Sequence, residues 1–138
     1  MGTTTKETYA ITNAKGQLNS IKELYREYKK NASAFVSNLD TEEAIVERAK
    51  GEALSVEFRS GWYSSPNEEI NPEEFKILLS WGGPACQIVG KLDHYKQPED
   101  IEIQYQDWGT TWTTLEISYN HDDYQALKWF CNCFHFGD

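Results

Sequence analysis

No stretch of this chain approaches the roughly 18–20 consecutive apolar residues that a membrane-spanning helix needs. Its start, Met1-Gly2-Thr3-Thr4-Thr5-Lys6, lacks the apolar segment of a secretory signal, and Lys6 stands where a myristoylation signal wants Ser or Thr. These absences predict a soluble, cytoplasmic protein with no membrane partner. Cysteine is scarce: three residues, an odd number without an export signal, read as reduced thiols and not as a disulfide framework. Cations are short as well, with 13 Lys and Arg against 22 Asp and Glu for a net charge of −9. A nucleic-acid platform needs a basic groove, so direct binding of DNA or RNA is not expected.

Catalytic signatures are missing too. Ser64 and Ser65 follow Gly61-Trp62-Tyr63 without the Gly-x-Ser-x-Gly elbow of a hydrolase, and Ser-Ser-Pro-Asn reads as a turn. Gly82-Gly83-Pro84 lacks the Lys and the following helix of a phosphate loop. Cys131, Cys133 and His135, with distant Cys86, are the residue types of a zinc site. Their spacing lacks paired Cys-x-x-Cys knuckles, and on a helix Cys131 and Cys133 would point about 200° apart. His94 falls in a turn and His121 near a helix start, neither beside a nucleophile. The adjacent pairs Glu68/Glu69, Glu73/Glu74 and Asp122/Asp123 read as solvated loop charge and helix capping, since neighbours on a loop or strand diverge. The chain is therefore expected to be neither an enzyme nor a metal or cofactor protein.

What is present divides in two. Residues 1–52 balance eight acidic against eight basic residues, whereas residues 53–138 hold fourteen acidic against five basic ones and all five tryptophans. At 138 residues the chain fits one domain able to bury a core without staples. Residues 1–17 show no strong period. From Asn19 or Ser20, Ile21, Leu24, Tyr25, Tyr28, Ala32 and Phe35 form one helical stripe. Asp40 and Glu43 resemble a capping box that opens a second helix with the stripe Ala44, Ile45, Arg48 and Ala49, closed by Gly51.

The period then changes to two. Leu54, Val56, Phe58 and Trp62 alternate with polar residues, and Phe75, Ile77, Leu79 and Trp81 share the next face. A turn at Gly82-Gly83-Pro84 leads to Cys86, Ile88 and Leu92 in a hairpin partner. Gln97-Pro98-Glu99-Asp100 reads as a connector, followed by Ile101, Ile103 and Tyr105. Residues 110–119 form a short strand or an extended loop. A last helix from Asn120 or Asp122 carries Tyr124, Leu127, Phe130, Cys131 and Phe134 at helical spacing, with Asp122 and Asp123 favouring its dipole. The whole is predicted to be a single α+β domain. Helices in 1–52 precede a four- to five-stranded, mainly antiparallel sheet, and a C-terminal helix packs on one face, leaving the other partly open.

That open face directs the functional reading. Glu57, Glu102, Gln104 and Gln106, joined by the acidic loop residues Glu68 and Glu69, would present carboxylates at fixed spacing to a basic partner. Trp108 either continues this polar face as an aromatic anchor or turns into the core after a bulge.

The segments Gly61-Trp62-Tyr63, Phe75-Lys76-Ile77-Leu78-Leu79-Ser80-Trp81-Gly82-Gly83-Pro84-Ala85 and Gln104-Tyr105-Gln106-Asp107-Trp108-Gly109, with Trp112, resemble small proteins carried by bacterial phages, plasmids and integrated elements. The resemblance spans about residues 55–138 and carries over no individual functional residue. It implies a mobile-element gene, where small acidic proteins act as anti-defence factors of the anti-CRISPR or antirestriction type. The expectation is an inhibitor that binds a basic host protein or ribonucleoprotein complex, by nucleic-acid mimicry or by steric capture. A small enzyme or ligand-binding module built on the aromatic, cysteine-containing C-terminal region, and a phage accessory protein, are the alternatives.

Overall fold

The computed structural model describes residues 9–34, 36, 38–60, 72–81, 84–107, 111–117 and 122–134. The element order is α1 (Tyr9–Ala32), α2 (Leu39–Gly51), β1 (Ser55–Ser60), β2 (Pro72–Ser80), β3 (Ala85–Leu92), β4 (Pro98–Gln106), β5 (Thr113–Thr114) and α3 (Asp122–Asn132). All strands pair antiparallel in sequence order, β1-β2-β3-β4-β5. This is the α+β architecture that the change of period implies.

α1 starts ten residues earlier than the sequence reading places it. Ala10, Ala14 and Leu18 continue the stripe at intervals of four into Ile21 and Leu24, and all five are buried. Two of these positions are alanines, too small to register as a periodic apolar signal, yet their size lets the helix approach the sheet closely. At the other end the helix stops at Ala32, which is exposed. Phe35 lies outside the described residues.

The start of α2 also differs from the expected capping box. Asn38 is the N-cap: its Oδ1 accepts from the backbone N–H of Asp40 at 2.9 Å and of Thr41 at 3.2 Å. The Asn31 amide holds the same residue, donating to the Asn38 carbonyl at 3.0 Å and accepting from its N–H at 3.2 Å. The end of one helix thereby fixes the start of the next. Ile45 and Ala49 are the buried residues of α2, while Ala44 and Arg48 are exposed. Arg48 instead pairs with Glu27 on α1 at 3.0 Å.

α1 packs over β3 and β4, α3 over β4 and against α1, and α2 against α1. The covered face of the sheet supplies Phe75, Ile77, Leu79, Cys86, Ile88, Ile101 and Ile103, which meet Ala14, Leu18, Ile21, Leu24, Leu127, Phe130 and Cys131 from the helices in one core. A Lys22–Asp123 ion pair at 2.7 Å joins α1 to α3, and Asn13 Nδ2 donates to Ser80 Oγ at 2.9 Å, tying α1 to the end of β2.

This helix layer leaves β1 at its margin. Leu54 and Phe58, expected in the core by their alternation, are 62% and 50% exposed. Trp81 is 71% exposed because β2 ends at Ser80 after a register shift, so the alternation through Leu79 does not reach it. The connector also moves. It lies at residues 93–97, where Asp93 Oδ1 accepts from the N–H groups of Tyr95 at 2.8 Å and Gln97 at 2.9 Å, and Lys96 takes a positive φ of 61°. Pro98 already belongs to β4. The threonine run forms the two-residue strand β5.

Candidate functional site

In a ladder, residues directly opposite one another share a face. On the face away from the helices, one row across the sheet reads Glu57, Lys76, Val89, Glu102, and the next reads Arg59, Glu74, Lys91, Glu99. The sequence reading placed Glu57, Glu102, Gln104 and Gln106 on one face, and the register brings them there. It also sets Lys76 and Lys91 between carboxylates and Arg59 beside them at the edge. Along β1 and β2 and across them the signs alternate, so the surface is a checkerboard of charge and not an acidic field. Arg59 and Glu74 close within it at 2.9 Å, an exposed pair that contributes little to stability.

Beyond these rows the face becomes less polar in exposure though not in composition. Glu102 accepts from Thr114 Oγ1 at 2.7 Å, and Gln87 Nε2 donates to Gln104 Oε1 at 2.8 Å. Gln87 is itself buried. Of the expected contact residues, Glu57 is exposed, whereas Glu102, Gln104 and Gln106 are half-buried. Glu68, Glu69 and Trp108 lie outside the described residues. Lys76, Lys91 and Gln87 were missed as site residues: alternation assigns each strand its faces, but only the turn lengths and bulges decide which side chains stand opposite each other. The residues of these rows other than Glu99 line a shallow depression of about 530 Å³, with Lys76 and Val89 in the row between Glu57 and Glu102. At about 4.8 Å per strand the backbones of those two residues stand about 14 Å apart.

The thiols are core groups. Cys86 and Cys131 are fully buried and Cys133 nearly so. Cys131 and Cys133 both point inward because α3 ends at Asn132. Its last turn tightens through the bonds Cys133 N–H to Phe130 O and Phe134 N–H to Cys131 O, which breaks the helical angle between the two cysteines. Cys133 Sγ donates to Trp129 O at 3.5 Å, and the Trp129 ring lies against Tyr25 and Tyr28 at 5.7 and 5.3 Å. Burial pushes the Cys86 thiol up to about 12 and Cys131 well above its ordinary value. Burial likewise raises Cys133 to about 11, against a downward pull from Lys50. Among the described residues no three His, Cys, Asp or Glu side chains converge as a metal site. His121 and His135, like Ser64 and Ser65, lie outside those residues.

These raised values give a direct expectation. At pH 8 the three thiols are protonated and shielded, so a disulfide exchange reagent should label them only after denaturation. The pH dependence follows from the same shifts. Folded thiols ionise above the ordinary value of 9.0, so their contribution to stability is complete below pH 9 and is lost as the pH rises toward 11–12. A denaturation midpoint that falls between pH 8 and pH 10, and falls less when Cys86 and Cys133 are replaced by Ala, checks this.

Among the described residues, no helix is long and apolar enough to cross a membrane. No family model, no curated protein and no solved structure matches this chain.

Proposed function

We propose that the protein is a non-enzymatic binding module that docks on a basic host protein or ribonucleoprotein complex and inhibits it, in the manner of an anti-CRISPR or antirestriction factor of a mobile element. The observation that carries this reading is where the negative charge lies. The open-face rows nearly neutralise themselves, with four carboxylates against three cations. Most of the net charge of −9 therefore lies outside those rows, with the exposed Glu73, Asp100, Glu116 and Asp122 among the carriers.

This surplus of negative charge attracts a basic partner from a distance, while the checkerboard demands a matching pattern on contact. A string of phosphates has one sign throughout. A surface whose carboxylates are separated by Lys76 and Lys91 reproduces that string poorly, which favours steric capture by complementary docking over nucleic-acid mimicry.

The test is a phage plaquing assay in cells carrying an active restriction or CRISPR system. Wild-type protein should raise plaquing, and simultaneous Glu57→Lys, Glu102→Lys and Glu116→Lys substitution should reduce that rescue by about tenfold or more, as expected when several complementary charges become repulsive. No rescue by the wild-type protein, or undiminished rescue by the reversed one, would sink the reading.

A further inference from the structure

β1 is an edge strand of six residues, paired only with β2 among the described residues, and it contains no proline. An open edge of this length presents unpaired backbone groups and is a template for another strand. β5, at the opposite edge, has two residues and is too short for that role. We propose that β1 is the seam of a homodimer, pairing antiparallel with β1 of a second copy about a two-fold axis through Phe58.

The charge pattern selects both the partner and the register. Pairing centred on Phe58 sets Glu57 of each copy opposite Arg59 of the other, on the open face. Centring on Glu57 or on Arg59 would instead place like charges directly opposite. The chosen register also continues the checkerboard across the seam. Each Glu57 then lies between Lys76 of its own chain and Arg59 of the second copy, and each Arg59 between Glu74 of its own chain and Glu57 of the second copy. Two unrelated strands have no reason to extend this alternation; a second copy does so by symmetry.

The other face fits the same arrangement. Phe58 stands opposite Phe75 and therefore on the helix-bearing side, where the helix layer leaves it 50% exposed. The two-fold axis brings the two Phe58 rings together there as a cross-strand aromatic pair. Backbone bonds, two pairs of opposite charges and one aromatic contact make a small interface, which gives a reversible dimer and not an obligate one. The two sheets join into one ten-stranded surface. This inference does not depend on the proposed inhibitory role.

Sedimentation velocity through the micromolar range tests it. The wild-type chain should associate reversibly to a dimer. Glu57→Arg and Arg59→Glu should each weaken self-association by about tenfold or more, because each puts two like-charge pairs at the seam. An equimolar mixture of the two variants should associate again, since every pair across the seam is then of opposite sign. A folding defect in either variant would not be repaired by mixing, so recovery reports charge pairing across the seam, and the loss in each single variant reports the register. A wild-type chain that stays monomeric, a dimer indifferent to both substitutions, or a mixture that fails to recover each overturns the proposal. If a variant does not fold, hydrogen exchange of the wild type decides: residues 56–59 must gain protection with rising concentration, and the same rates at all concentrations overturn it.

Discussion

Phe130→Ala should destabilise the fold by about 3–5 kcal/mol, the range for removing a fully buried aromatic side chain. Phe130 is fully buried in α3 and meets Phe134 edge-on, with ring centroids 5.3 Å apart. α3 contacts both α1 and β4, so a cavity at this position loosens the contact between helix layer and sheet. Thermal unfolding should shift down by roughly 10 °C or more. Phe58→Ala, measured in dilute protein, provides the contrast. Phe58 keeps half its surface in water, so its loss should cost well under half as much. Equal costs at the two positions would mean that the helix layer reaches β1 after all.

The contrast between these two phenylalanines also marks what the sequence could reveal. Period-two alternation placed Val56, Ile77, Ile88 and Ile103 on one face correctly, because alternation is a property of the single strand. Burial is a property of the layer above it. Leu54 and Phe58 alternate as faithfully as Ile77 does, but they stand on the edge strand, at the margin of a helix layer that packs over β3 and β4. The helix α1 was read short for the opposite reason. Its first turns are anchored by Ala10 and Ala14, whose burial is complete and whose side chains are too small to mark a stripe. At the candidate site, the carboxylates Glu57 and Glu102 were legible because they lie out of phase with the apolar residues. Lys76 and Lys91 obey the same phase, but their position between the carboxylates depends on the registers of β2 and β3, which local sequence does not encode.

Register likewise explains a glycine with no turn to make. Gly90 lies inside β3, its φ is outside the left-handed region, and its partner on β2 is Phe75. A Cβ at this position would meet Phe75 Cε1 at 2.7 Å, Phe75 Cζ at 2.8 Å and the Glu99 carbonyl oxygen at 2.9 Å. The phenylalanine ring thus covers the glycine backbone, which is how a strand glycine recovers the packing that it cannot supply itself. Opposite, β4 changes register between the partners of Val89 and Lys91, and Asp100 takes a positive φ of 50°, which brings the Glu99 carbonyl close.

Gly90→Ala should therefore destabilise by about 1–3 kcal/mol, the usual cost of forcing atoms into a filled site. The two obstacles differ in kind, and a double substitution separates them. Phe75→Leu removes the ring and leaves the carbonyl, so Gly90→Ala should cost less in that background but still carry a penalty from the backbone of β4. Denaturant unfolding of the four proteins in the cycle measures both terms. A Gly90→Ala cost that is the same with and without the Phe75 ring would show that the ring does not rest on Gly90, and an abolished cost would show that the bulge in β4 yields freely.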